Sequence, residues 1–267
     1  LCAELHEGAE RLRTFQNKLP PSVNGKEKVS VTTLMASMPV ALVKGLDAKC
    51  IVVLDAYFAV GPVLLILKGL LDSNGKRLAH LITRAKRNVV GYKDPPPRTG
   101  KRGAPRKYGE KLKLIQLFED QRNEFQEAVI EIYQKKKTIL FLCLDLIWKP
   151  IKEKVRFVLV IDGGEMFILM CSDLTLSPQD IIRAYSYRFK IENGLKDLVY
   201  SYFLDEMYGS DPQKIEFDFY CVMVARLTYE YFLKELGGEH YRHEDGNKTT
   251  LQNMRNLLFE KRNFTLE

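Results

Sequence analysis

No stretch of this 267-residue sequence reaches the roughly 18 consecutive apolar residues of a membrane span, and the longest candidates, such as FYCVMVARLTYEYFL, are interrupted. A membrane span and a secretory signal are both unsupported, and a soluble, cytoplasmic protein is expected. Cysteine is sparse: Cys2, Cys50, Cys143, Cys171 and Cys221 lie mostly inside apolar runs and show no C-x-x-C spacing. That pattern argues against a disulfide framework or a thiolate metal site and points to reduced core thiols in a reducing compartment. Negative charge is also in deficit. A net charge of +7 and a pI near 9.0 favour a polyanionic partner such as nucleic acid, while saying nothing about fold. No internal repeat is present.

What is there reads as alternating strands and helices. The sequence predicts an opening strand at LCAELHEG, a helix over residues 28–45, a buried strand at CIVVLDAYF, a helix over 57–71 and a strand at RLAHLITRA. The apolar run ending at Asp55 has the composition of a central strand covered on both faces. From Arg87 to Lys113 the chain is crowded with Pro, Gly, Lys and Arg and reads as a loop or excursion. Strands resume at TILFLCLDLIW, VRFVLVI and MFILMCS, the last two joined by the hairpin signal IDGGEM. Helices over 216–236 and about 249–262 close the chain. The fold expected is α/β, with Asp55 at the carboxyl end of its strand, where open α/β sheets place their sites.

The segment SPQDIIRAYSYRFKIENGLKDL, Ser177 to Leu198, carries the densest chemistry. Ser177 is a preferred N-cap, Pro178 suits the first helical position, and Asp180 complements the dipole. Read as one helix at roughly 100° per residue, the segment brings Tyr185, Arg188, Glu192 and Lys196 within about 80° of one another. An apolar stripe of Ala184, Tyr187, Ile191, Leu195 and Leu198 runs beside them, as on a helix packed against a sheet. Arg188 with Glu192 is, on the bland reading, an ordinary i,i+4 ion pair on a solvated face. An acidic group bordered by Arg, Tyr and Lys also suits a metal and phosphate site. Asp55 and Glu192 could hold Mg²⁺ ions, because hard cations prefer oxygen ligands, and two such ions activate and stabilise the oxygens of phosphoryl transfer. Arg188 would then fork onto a phosphate, Tyr185 bond to or stack on DNA, and Lys196 neutralise charge.

Tyr185, Arg188 and Glu192 match in type and spacing the signature of the last catalytic helix in DDE transposases of the insertion-sequence-four group, which this chain resembles. The lysine place of that signature is Val199 here, with Lys196 one turn earlier. VLDAYFAVGPVLL and LITRAKRN resemble the strand bearing the family's second catalytic aspartate, Asp55, and the strand after it. LMCSDLTLSPQDIIRAYSYRFKIE resembles the lead-in to the glutamate helix. The resemblance implies a ribonuclease-H-like catalytic core, a mixed sheet flanked by helices. Residues 1–87 would be its first part, 88–172 a basic loop and β-rich insertion, and 173–267 its completion. It implies a transposase that cleaves and joins DNA strands with Mg²⁺, or Mn²⁺ in its place, at a metal site including Asp55 and Glu192. It further implies double-stranded DNA as partner, both transposon ends and target, a nucleoid-associated location, and a homodimer as the assembly to test. The family's first aspartate has no counterpart, Asp47 being the only aspartate before Asp55, so a chain truncated at its N-terminus is expected.

Other acidic and basic residues have competing readings. Asp55 is favoured as the site carboxylate over its competing reading, a cap for the element after its strand. Asp173 reads as a turn residue and Asp145 as a strand residue without an evident partner. Arg102, Arg106 and Lys107 in RGAPRK resemble a minor-groove hook with Ala104 in place of its second arginine, or a plain phosphate-binding loop, or a solvated one. His240 and His243 read as a polar loop and His6 as structural. The rivals to the transposase reading are a non-catalytic DNA-binding remnant of the same fold and a nuclease that only hydrolyses.

Overall fold

The computed structural model describes residues 31–46, 48–97, 106–132, 135–202 and 211–235. The described chain is mixed α/β, a largely antiparallel sheet flanked by helices. Helix α1 (Val31–Leu46) leads into strand β1 (Cys50–Leu54), a short 3₁₀ turn (Ala56–Phe58), helix α2 (Gly61–Lys68) and strand β2 (Ala79–Arg84). β1 and β2 pair in parallel, Cys50 level with Ala79 and Leu54 with Thr83. Pro62 sits in the first turn of α2, so the helix starts at Gly61 and not at 57 as the periodicity predicts.

Strands β3 (Val90–Tyr92) and β4 (Lys111–Lys113) follow, then a one-turn helix α3 (Leu117–Asp120) and strands β5 (Gln126–Ile132), β6 (Lys135–Trp148), β7 (Glu153–Asp162) and β8 (Glu165–Cys171). The order is β1-β2-β8-β7-β6-β3-β4, with β5 paired to the first half of β6. Residues 88–172 therefore continue the sheet begun by β1 and β2. The expected loop at 87–113 is in part a two-stranded ribbon, β3 with β4. Gly91 lets it press onto β6, since a Cβ there would sit 2.5 Å from the Leu146 side chain. The hairpin at Gly163 and Gly164 is as expected, both with positive φ, 56° and 93°.

β1 departs from its expectation. Among the described residues it lies at the end of the strand order, and Ile51 is 40% exposed. A short apolar run does not by itself distinguish a central strand from an edge strand.

Alternating side chains give the sheet two apolar faces. Phe157, Leu159, Ile168 and Met170 join Ile66 and Leu67 of α2 and Ala36 and Val43 of α1 on one. Val158, Val160, Leu169 and Cys171 join Ile181 and Ile182 on the other. Those two isoleucines belong to helix α4 (Pro178–Ser186), and burying each contributes about 1.5–3 kcal/mol. Burial pushes the Cys171 thiol up to about 12, so it packs as a small apolar group.

Helices α5 (Phe189–Tyr202) and α6 (Pro212–Glu235) belong to a second compact unit, which begins at Phe189. Within it, the Arg226 guanidinium donates to the carbonyl of Gly194. Phe217, Tyr220, Val224, Leu227 and Tyr231 form an exposed line along α6 at alternating spacings of three and four. No helix among the described residues is long and apolar enough to cross a membrane. The expected opening strand, the helix over 249–262, Asp47, His6, His240, His243, Arg102 and Ala104 lie outside the described residues.

Candidate functional site

Asp55 follows β1 in extended conformation, and its Oδ1 accepts a hydrogen bond from the Ala56 N–H at 2.7 Å. The cap reading of this residue is thus realised. Its carboxylate is exposed at the carboxyl end of the parallel β1–β2 pair. The buried Thr83 hydroxyl donates to the Asp55 carbonyl at 2.8 Å, tying the ends of the two strands together.

α4 starts as its sequence demands. Ser177 Oγ accepts from the Asp180 N–H at 3.1 Å, Pro178 occupies the first turn, and the Ser177 hydroxyl donates back to Asp180 Oδ2 at 2.6 Å. Ile181 and Ile182 anchor the helix on the sheet, which carries Tyr185, near its last turn, to the partly buried edge of the same core. Burial raises the Tyr185 phenol above its ordinary value. The Arg188 guanidinium opposes that rise, the Asp55 carboxylate adds to it, and Arg84 opposes it again. Arg188 places its guanidinium carbon 5.8 Å from the centre of the Tyr185 ring. Asp55, Arg84, Tyr185 and Arg188 therefore share one electrostatic neighbourhood within one compact unit.

Arg84 is a functional candidate that the sequence reading left unnamed. It ends β2, its Nη2 lies 3.0 Å from Glu165 Oε1, and its guanidinium carbon sits 5.1 Å from the centre of the Phe167 ring. No sequence signal singled it out: it ends β2, which pairs in parallel with β1 up to Leu54 level with Thr83, and that pairing is seen only in the structure.

The expected single helix from Ser177 to Leu198 is not what forms. α4 ends at Ser186, Tyr187 and Arg188 make a turn with i to i+3 hydrogen bonds to Ala184 and Tyr185, and α5 restarts at Phe189. The Ser186 hydroxyl donates to the Arg183 carbonyl at 2.7 Å, a back-bond that competes with the helix ladder and bends it. The rotation that would set Tyr185 and Arg188 in line with Glu192 and Lys196 is interrupted. The apolar stripe is buried only in part: Ala184 packs on the core and Leu198 is buried, while Tyr187 and Leu195 are half exposed. Within α5, Glu192 occupies the first turn, where the dipole favours a negative charge, and Lys196 follows one turn later in the stabilising order. Both are exposed.

The rival aspartates have structural work. Asp173, almost fully buried, accepts from Thr175 N and Oγ1 at 3.0 and 2.7 Å and pairs with Lys49 at 2.5 Å. These partners outweigh its burial and hold its carboxyl down at about 2. Asp145, expected to have no partner, has one across the β6–β7 ladder. Arg156 donates to both its oxygens at 2.8 and 2.7 Å and with its third nitrogen to the Leu176 carbonyl at 2.6 Å. Of the basic loop, Arg106 and Lys107 are described and exposed just ahead of β4, whose Lys111 and Lys113 are exposed too.

Against known proteins, no family model and no curated protein matches the chain.

Proposed function

We propose that this chain is part of a DDE transposase resembling the insertion-sequence-four group, cutting and joining DNA through a ribonuclease-H-like core. The observation that carries the reading is the exposed Asp55 carboxylate at the carboxyl end of a parallel β–α–β unit, with the Arg188 guanidinium over the Tyr185 ring in the same compact unit. A carboxylate, guanidiniums and a phenol are side chains that phosphoryl transfer on DNA can use, the carboxylate for a metal ion and the guanidiniums for phosphates. Asp55, with Oδ2 beyond its capping bond, is a hard oxygen donor of the kind Mg²⁺ prefers, and Glu192 is the second carboxylate the reading calls on. Mg²⁺, or Mn²⁺, would supply Lewis-acid stabilisation of the attacking and leaving oxygens. Arg188 and Arg84 would bind the flanking phosphates, Tyr185 would bond to or stack on the strand, and Lys196, Arg102, Arg106 and Lys107 would neutralise further backbone charge. Homodimeric association belongs to the same reading and is supported by the heptad-like line of apolar side chains on α6.

A second reading, a DNA-binding protein without catalysis, is favoured by one observation: Asp55 already caps the turn that follows it. Metal-dependent nicking and strand transfer by the intact gene product, with DNA binding measured in parallel, separates the two. Strand-transfer products would also exclude a nuclease that only hydrolyses.

A further inference from the structure

Gly194 is buried midway along α5, and an added Cβ there would stand 3.0, 3.1 and 3.4 Å from Nη1, Nη2 and Cζ of Arg226. The α6 guanidinium therefore lies against the α5 backbone at a point where a side chain would displace it. The Gly194 carbonyl, to which Arg226 donates, already has its place in the hydrogen-bond ladder of α5, so the bond does not serve an orphan acceptor. It joins two helices. On α6, Arg226 continues the half-buried line Ile215, Phe219 and Val222. On α5, Leu198 lies about 40° from Gly194 and is buried, while Glu192 and Lys196 lie about 160° from it and are exposed. Arg226 thus grips the face of α5 opposite Glu192.

We infer, resting on the catalytic reading of Glu192, that Arg226 is a positioning residue: its grip on Gly194 fixes the roll of α5 about its axis, and so the direction in which the Glu192 carboxylate leaves the helix. At the side-chain surface of a helix, about 5–6 Å from its axis, a roll of about 10° moves a group by about 1 Å. A misplacement of that size costs a reaction about 100-fold. Apolar contacts between helices adapt to such a roll, whereas a planar guanidinium bonded to one carbonyl, in a gap left by glycine, sets a single orientation.

Two measurements on the intact gene product test this role. The first reads the grip without activity, as a double-mutant cycle in urea. Alanine is the better helix former, so Gly194→Ala should raise the unfolding midpoint in the Arg226→Met background and fail to raise it in the wild-type chain, where it displaces the guanidinium. The second reads cleavage. Arg226→Met and Gly194→Ala should each keep the circular dichroism and bind transposon ends within about threefold, with kcat lowered about 100-fold. Arg226→Lys, which keeps a charged donor, should recover about tenfold of that loss. Equal midpoint changes in both backgrounds overturn the grip. An unchanged kcat in both variants, or end binding lost in step with kcat, overturns the positioning role. Failure of the underlying reading looks different: cleavage is then absent from the wild-type chain or survives Glu192→Gln, and the inference falls with it.

Discussion

The Thr83 hydroxyl donates to the backbone carbonyl of Asp55 across the β1–β2 pair at 2.8 Å, fixing the point at which the Asp55 carboxylate leaves the sheet. Thr83→Val removes that donor from a buried position and should cost about 1 kcal/mol, read by urea denaturation. Asp55 itself divides into cap and carboxylate. Asp55→Ser should keep the cap and nearly all stability while losing metal-dependent cleavage. Asp55→Ala should lose the cleavage and about 1 kcal/mol of stability besides. Cleavage that survives in the Ser variant would return Asp55 to a purely structural role.

Asp145 and Arg156 face each other in register on β6 and β7. Arg156 is only 18% exposed, so Asp145→Ala strands a partly buried cation. A loss of about 1–3 kcal/mol is expected, and a double-mutant cycle with Arg156→Ala should show coupling. Additive losses would mean that the pair is energetically idle.

Acid should weaken the fold in two stages. The neutral His80, held below its ordinary value chiefly by burial, contributes stability above its unfolded pKa of about 6.5 that declines as pH falls through that value. Asp173, held down at about 2 by Lys49 and Thr175, contributes stability present above the unfolded carboxylate value. That contribution is lost as pH falls from about 3.9 towards its folded pKa. Asp173→Asn should flatten the lower limb of a stability-against-pH curve and, by removing the charge that raises His80, lower His80 further and extend the upper limb towards lower pH. An unchanged lower limb would assign the acid response to other carboxylates.

Replacing Arg102, Arg106 and Lys107 with alanine should reduce the slope of log affinity against log salt for duplex DNA by about 0.9 for each phosphate that is no longer neutralised. An identical slope would remove this loop from the interface.

Much of this architecture was legible in the residues. Ser177, Pro178 and Asp180 announce the start of α4, Gly163 and Gly164 the hairpin, and the apolar run before Asp55 its strand. What was not legible depends on long-range pairing or on competition within the backbone. The break after Ser186 is hidden because apolar and charged positions keep their helical period through Tyr187 and Arg188. Only the side-chain back-bond to Arg183 reveals it. The partner of Asp145 lies in another strand, visible only once the β6–β7 register is known. β5 was missed although Ala128, Ile130 and Ile132 alternate with exposed Glu127, Val129 and Glu131, the pattern of a half-buried strand.

The most direct measurement compares metal-dependent DNA cleavage and DNA binding by the intact gene product and its Glu192→Gln variant. Cleavage should disappear with the carboxylate while binding to transposon ends stays within a few fold. Cleavage that persists in the variant, or cleavage and binding lost together, would contradict a catalytic carboxylate at Glu192 and with it the transposase reading.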